Sequence, residues 1–230
     1  MANDFIKPRV IRALAFALFV GFFCANLSAS TLPTQDQVFT IYAFKAPVGG
    51  KHASPDLIYS ALPLYQEFKP GENRRWSKDG IEEQGVIVLK DKSVLYFETQ
   101  SSRELVTIDS SNHSVGYRMP ALPAHLQKCP SYNSSYDKMP LPKADDVFCI
   151  AQRPWIHWEA LTSDAIIQAL PNLRPTPIYP PDWVEASHQG NGQSGGVIVL
   201  KDRAVLQFFS WSGSAITFEN YKSQTYFLLK

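Results

Sequence analysis

Hydrophobic positions along this chain come in short blocks rather than long periodic stretches, and the blocks form two matching sets. In the first, Val38-Phe-Thr-Ile-Tyr42 is a β-branched and aromatic run of the kind that makes a strand. Asp56 to Pro63 follows, with Leu57, Ile58, Ala61 and Leu62 at helical spacing. Ser54 is a suitable N-cap, Pro55 suits the first helical position, and Pro63 stops the helix. Four further runs, Val86–Leu89, Val94–Phe97, Leu105–Ile108 and Val115–Arg118, read as strands joined by short connections, which favours antiparallel pairing. The first two are apolar at consecutive positions, so they predict a central hairpin covered on both faces.

The second set repeats this order. Val147–Ala151 matches the first strand, and Asp164–Pro171 matches the helix, capped by Thr162 or Ser163 and stopped by Pro171. The runs Val197–Leu200, Val205–Phe208, Ala215–Phe218 and Tyr226–Leu229 match the meander. At the hairpin the match is literal: Gly85-Val-Ile-Val-Leu-Lys-Asp91 returns as Gly196-Val-Ile-Val-Leu-Lys-Asp202, and Val94, Leu95 and Phe97 return as Val205, Leu206 and Phe208. The pattern predicts an α+β fold made of two tandem repeats, each a strand, a short helix and an antiparallel four-stranded meander. Residues 31–118 form unit one, 147–230 form unit two, and 119–146 form a proline-rich crossover. The units could be separate lobes or pack about a pseudo-twofold axis into one larger sheet. A packed pair is expected, because each unit alone is small for a stable core.

The repeat also constrains the chemistry. A recurring Lys-Asp invites a catalytic reading, but Lys90-Asp91-Lys92 and Lys201-Asp202-Arg203 fall where the hairpin must reverse. Asp tolerates the left-handed dihedrals of a tight turn, so these residues read as turns.

Composition then narrows the class. The formal net charge is +1, which supplies no bulk field toward nucleic acid or anionic lipid. Lys7, Arg9 and Arg12 precede an apolar run from Ala13 to Leu27, and Ser28-Ala29-Ser30 provides small residues for cleavage. Residues 1–30 therefore read as a signal peptide, leaving no stable membrane anchor, and the mature chain as periplasmic or secreted. Of the three cysteines, Cys24 leaves with the signal. Cys129 and Cys149 then read as a single disulfide pinning the crossover onto unit two.

Candidate catalytic signals are few. Gly192-Gln193-Ser194-Gly195-Gly196 spells G-x-S-x-G, but a strand follows the serine where a hydrolase elbow needs a helix. The stretch is similar to the nucleophile loop of trypsin-like serine proteases over those five residues alone. That likeness would make Ser194 a nucleophile with His188 or His52 as base, yet Lys51-His52-Ala53 departs from the family's histidine motif and no aspartate is placed to orient the base. Unit one has Glu82-Glu83-Gln84 at the corresponding place, which makes a loop leading into a strand the simpler account. The five histidines, His52, His113, His125, His157 and His188, show no zinc-ligand spacing, and no glycine-rich phosphate loop joins a strand to a helix. The expectation is no metal and no cofactor.

The segments where the units differ carry aromatic and arginine residues. Trp76 with Arg74 and Arg75, and Trp183 with Tyr179, lie between helix and hairpin in the two units. That is the composition of protein-recognition surfaces. The chain therefore reads as an exported, non-catalytic binding protein, such as a periplasmic inhibitor or immunity-type protein that neutralises a partner enzyme or toxin. A secreted hydrolase using Ser194 and a structural subunit of an envelope assembly are the alternatives.

Overall fold

The computed structural model describes residues 32–44, 54–67, 83–101, 103–108, 114–130, 141–152, 162–176, 193–211, 215–218 and 226–228. Within them the fold is mixed α+β: mostly antiparallel strands in two sheets, with few and short helices.

The first sheet comprises β1 (Val38–Ala43), β2 (Gln66–Glu67), β3 (Glu83–Leu89), β4 (Val94–Ser101), β5 (Glu104–Ile108) and β6 (Ser114–Arg118). The second comprises β7 (Val147–Gln152), β8 (Arg174–Thr176), β9 (Gln193–Leu200), β10 (Val205–Trp211), β11 (Ala215–Phe218) and β12 (Tyr226–Leu228). Their spatial orders correspond strand for strand: β1-β3-β4-β5-β6-β2 and β7-β9-β10-β11-β12-β8. Each meander is thus flanked by a leading strand on one edge and, on the other, by a short closing strand that the hydrophobic pattern does not announce.

One short helix accompanies each sheet. Helix α1 (Pro55–Ala61) begins at Ser54, whose hydroxyl accepts the Leu57 N–H at 3.2 Å; α2 (Ser163–Ala169) begins at Thr162, which accepts from Ala165 at 3.1 Å. Helices this short are not stable in isolation. Packing holds them: Ile58 and Leu62 join Ile87, Leu95, Phe97 and Leu105 in one core, and Ile166 and Leu170 join Ile198, Leu206, Phe208 and Ile216 in another.

The opposite faces of the two sheets meet. Val86, Val88, Val94 and Tyr96 of the first and Val197, Val199, Val205 and Cys149 of the second share a third cluster. Along β3 the side chains alternate, Ile87 and Leu89 toward α1 and Val86 and Val88 toward the other sheet. That is why the hairpin is apolar at every position. The sheets lie face to face and do not merge into the one larger sheet expected of a packed pair. The Tyr42 hydroxyl donates across this interface to Gln207 Oε1 at 3.1 Å.

Both leading strands carry an irregularity at one place, between Val38 and Thr40 and between Val147 and Cys149. The residues at the break, Phe39 and Phe148, stack on each other with centroids 4.0 Å apart and planes 12° from parallel. Lys92 of the first hairpin lies over the Phe148 ring at 5.6 Å, and Arg203 of the second lies over Phe39 at 5.3 Å.

The hairpin turns correct one expectation. The left-handed residues are Lys92 (φ 72°) and Arg203 (φ 69°), not the aspartates. Asp91 and Asp202 instead accept the backbone N–H two residues on, from Ser93 at 2.9 Å and Ala204 at 3.0 Å. Each loop closes with an i to i+3 bond donated by the left-handed residue itself, Lys92 N–H to the Leu89 carbonyl and Arg203 N–H to the Leu200 carbonyl. Lys90 and Lys201 then donate their N–H groups to Gln37 and Asp146, in the single turns preceding β1 and β7.

Candidate functional site

The residues singled out for recognition, Arg74, Arg75, Trp76, Tyr179 and Trp183, lie outside the described residues, but the described strands fix where their segments begin and end. Register pairing aligns Glu67, Tyr117, Leu105, Thr99 and Glu83 in one row across the first sheet. Residues 68–82 therefore leave and re-enter at the same end of the sheet, four strand spacings apart, or ~19 Å. In the second sheet Thr176, after which residues 177–192 leave, aligns with Tyr226, Thr217, Phe209 and Gly195, two residues in from Gln193, where they re-enter.

At this end the second strand of each hairpin carries a buried hydroxyl at the matching position. Thr99 and Ser210 are each 1 % exposed, and their side-chain oxygens make no hydrogen bond. Beside Thr99, Glu98 is half-buried and accepts from the Gln84 amide at 2.9 Å. Burial raises its pKa above the ordinary glutamate value, and the Gln84 bond offsets part of that rise. In the second hairpin Phe209 and Gly195 are the equivalent pair, so this polar contact belongs to the first sheet alone.

Ser194 lies inside β9, in register with Ser210 on β10, rather than on a strand-to-helix turn. The glycine that completes its motif has a packing role. A Cβ on Gly196 would run into the carbonyl oxygen of Ala151, and a Cβ on Gly85 would run into the carbonyl of Tyr42 and the ring of Phe97. Phe97 and Phe208 sit directly opposite these glycines on the neighbouring strands. Close backbone approach on one side and an aromatic partner on the other explain why glycine opens the repeated phrase in both sheets. His52 and His188, the bases paired with Ser194 in the hydrolase reading, fall outside the described residues, as do His113 and His157; His125 is exposed. Among the described residues no three His, Cys, Asp or Glu side chains are grouped to hold a metal ion, and no helix is long and apolar enough to cross a membrane.

The cysteine pairing is a second correction. Cys129 and Cys149 are both buried and are not bonded to each other. Cys129 packs in the core beneath α1, whereas Cys149 packs between the sheets. A buried thiol behaves as a small apolar side chain, and that role accounts for both. The crossover is pinned instead to unit one, by hydrogen bonds. Asp56 of α1 accepts the Cys129 N–H at 2.8 Å and the Lys128 ammonium at 3.0 Å, and the Ser60 hydroxyl accepts the Gln127 N–H at 2.6 Å. Burial pushes the Asp56 carboxyl up, but the Cys129 N–H and Lys128 together outweigh it and leave the pKa below the ordinary aspartate value.

No strong signal in the hydrophobic pattern marks this strap. A clue lay in the helices: α1 carries Ser60 where α2 carries Gln168, and Ser60 is buried while Asp164 and Gln168 are exposed. Comparison with known protein families, with curated proteins and with solved structures finds no match for the chain.

Proposed function

We propose that the chain is a tandem duplication with pseudo-twofold symmetry, exported to the periplasm or secreted, and that it works as a non-catalytic binding protein of the inhibitor or immunity type. The duplication is supported by the matching strand orders, the paired glycines, the equivalent left-handed turns and the exchange of cations across the Phe39–Phe148 stack. In a twofold pair each unit supplies its hairpin cation to the other unit's ring.

One observation carries the binding reading. The residues that the units share have packing or turn-forming work to do, while the segments that differ, 68–82 and 177–192, run between the short closing strand and the first hairpin strand of each sheet and contain Trp76, Arg74, Arg75, Tyr179 and Trp183. Aromatic and arginine side chains concentrated in variable segments on a rigid platform suit protein contact, with hot-spot truncations costing about 2 kcal/mol or more each. The partner is another protein, and no cofactor enters this reading.

Replacing Trp76 and Trp183 together by Ala is expected to lower retention of a specific partner from native extract by at least about tenfold. Unfolding stability should stay near that of the parent. An unchanged set of retained proteins overturns the assignment of contact to these segments.

A further inference from the structure

Between two buried anchors, Met119 and Cys129, the crossover runs over the surface as a strap. Its N-terminal anchor is tied by the Met119 N–H to the Arg103 carbonyl at 3.0 Å, and its C-terminal end by the bonds from Gln127, Lys128 and Cys129 to α1. Leu122 (47 % exposed) and Leu126 (59 % exposed) are the two most exposed large hydrophobics among the described residues. Pro120 and Pro123 restrict the strap's backbone, and residues 119–130 include no carboxylate. At the matching positions of α2, Asp164 and Gln168 are exposed, and among the described residues no segment covers them.

We infer that this strap is a substrate-like plug for the cleft of a serine endopeptidase with an apolar primary pocket, and that Leu126 is the side chain the pocket takes. The inference rests on the inhibitor-type reading and adds a second contact segment, apart from 68–82 and 177–192, with a partner class. Three features of the strap support it. A chain fixed at both ends and stiffened by proline loses little entropy on docking. Leu126 is presented outward immediately before a residue whose N–H is held from behind. Ser60, which accepts that N–H, donates its own proton to the Asp56 carbonyl at 2.6 Å and is itself buried, so the tie is rigid.

The tie has a chemical consequence at the Leu126–Gln127 bond. Attack by the enzyme's serine hydroxyl on the Leu126 carbonyl breaks the C–N bond, forms an acyl ester and passes the hydroxyl proton to the new amine of Gln127. Anchored to α1 by Lys128, Cys129 and its own bond to Ser60, that amine stays beside the ester instead of diffusing away. It re-attacks the ester, restores the peptide bond and returns the proton to the serine. The leaving group therefore outcompetes water, and the strap resists turnover.

The test measures inhibition of chymotrypsin, subtilisin and elastase on chromogenic peptides by the whole chain, with sedimentation of the chain alone at the same concentrations. Inhibition of at least one enzyme is expected at micromolar concentration or below, weakened about 100-fold by Leu126→Asp and unaffected by Leu64→Asp, an exposed leucine (38 %) outside the strap. The double variant Asp56→Asn, Ser60→Ala should turn inhibitor into substrate, with mass spectrometry finding cleavage after Leu126. No inhibition of any of the three enzymes, inhibition indifferent to Leu126→Asp, or self-association that Leu126→Asp abolishes overturns the inference, the last by naming a second copy as the occupant. None of these results touches the Trp76 and Trp183 test, which decides the binding reading separately.

Discussion

Single residues in this protein are constrained most severely where backbone meets backbone. Gly85 and Gly196 have no room for a methyl group, because each would drive a Cβ into the carbonyl of the neighbouring leading strand. Gly195, one position away, would press on the Phe209 ring at 3.1 Å and reach the Phe208 carbonyl oxygen only at an ordinary 3.4 Å. Alanine at Gly85 or Gly196 is accordingly expected to cost about 3 kcal/mol in urea unfolding, and alanine at Gly195 clearly less. Equal losses at all three sites would remove the close-approach explanation. Glu98 is constrained electrostatically. Its folded-state pKa is raised by burial, so the stability this group contributes is full below the ordinary glutamate pKa and is lost as pH climbs through the raised value. Glu98→Gln keeps the Gln84 contact and removes the charge. It should raise the melting temperature at pH 7 and lose that advantage as pH falls toward 4, a profile opposite to that of a carboxylate stabilised by its ionised form.

At the scale of elements, the chain's patterning was informative wherever burial was two-sided or the cap chemistry specific. The hairpins, both helices with Ser54 and Thr162 as caps, and the meander strands were all readable, because runs such as Val86–Leu89 must be covered on both faces and Ser-Pro before an apolar period starts a helix. The closing strands β2 and β8 were not. Gln66-Glu67 and Arg174-Pro175-Thr176 lie at sheet edges and carry no alternation, so their pairing is imposed by the meander strand beside them. The turns were located correctly but assigned to the wrong residue. Aspartate was expected to take the left-handed backbone, and it serves instead as acceptor while the cation after it takes the positive φ. The cysteine count failed for a different reason. Two thiols in one chain suggest a bond only if their strands bring them together, and Cys129 and Cys149 belong to different cores. The segments proposed for recognition are marked by composition alone, whereas the strap, whose attachment rests on Asp56 and Ser60 of a helix distant in sequence, has no signal in the pattern.

At the scale of the whole molecule, the described residues stack in three apolar layers: one under each helix and one between the sheets. The outer two each belong almost entirely to one unit, whereas the middle one draws on both. That division separates what a unit can do alone from what needs a second unit. It is also why the segments proposed for recognition can differ: the described strands they join end beyond the layer in which both halves must agree.

The crossed arrangement at Phe39 and Phe148 carries this furthest. A contact in which each half lends its cation to the other's ring is the contact two identical chains make about a twofold axis. Under the proposed duplication, the fold began as a homodimer of a single unit, and the crossover fused two subunits into one polypeptide. Residues 141–230 expressed alone should then recover that earlier state, with Phe148 stacked on Phe148 of a second copy and Arg203 over the opposing ring. Sedimentation should find dimers that Phe148→Ala loosens; a stable folded monomer of that length would instead mean that the middle layer never needed a partner.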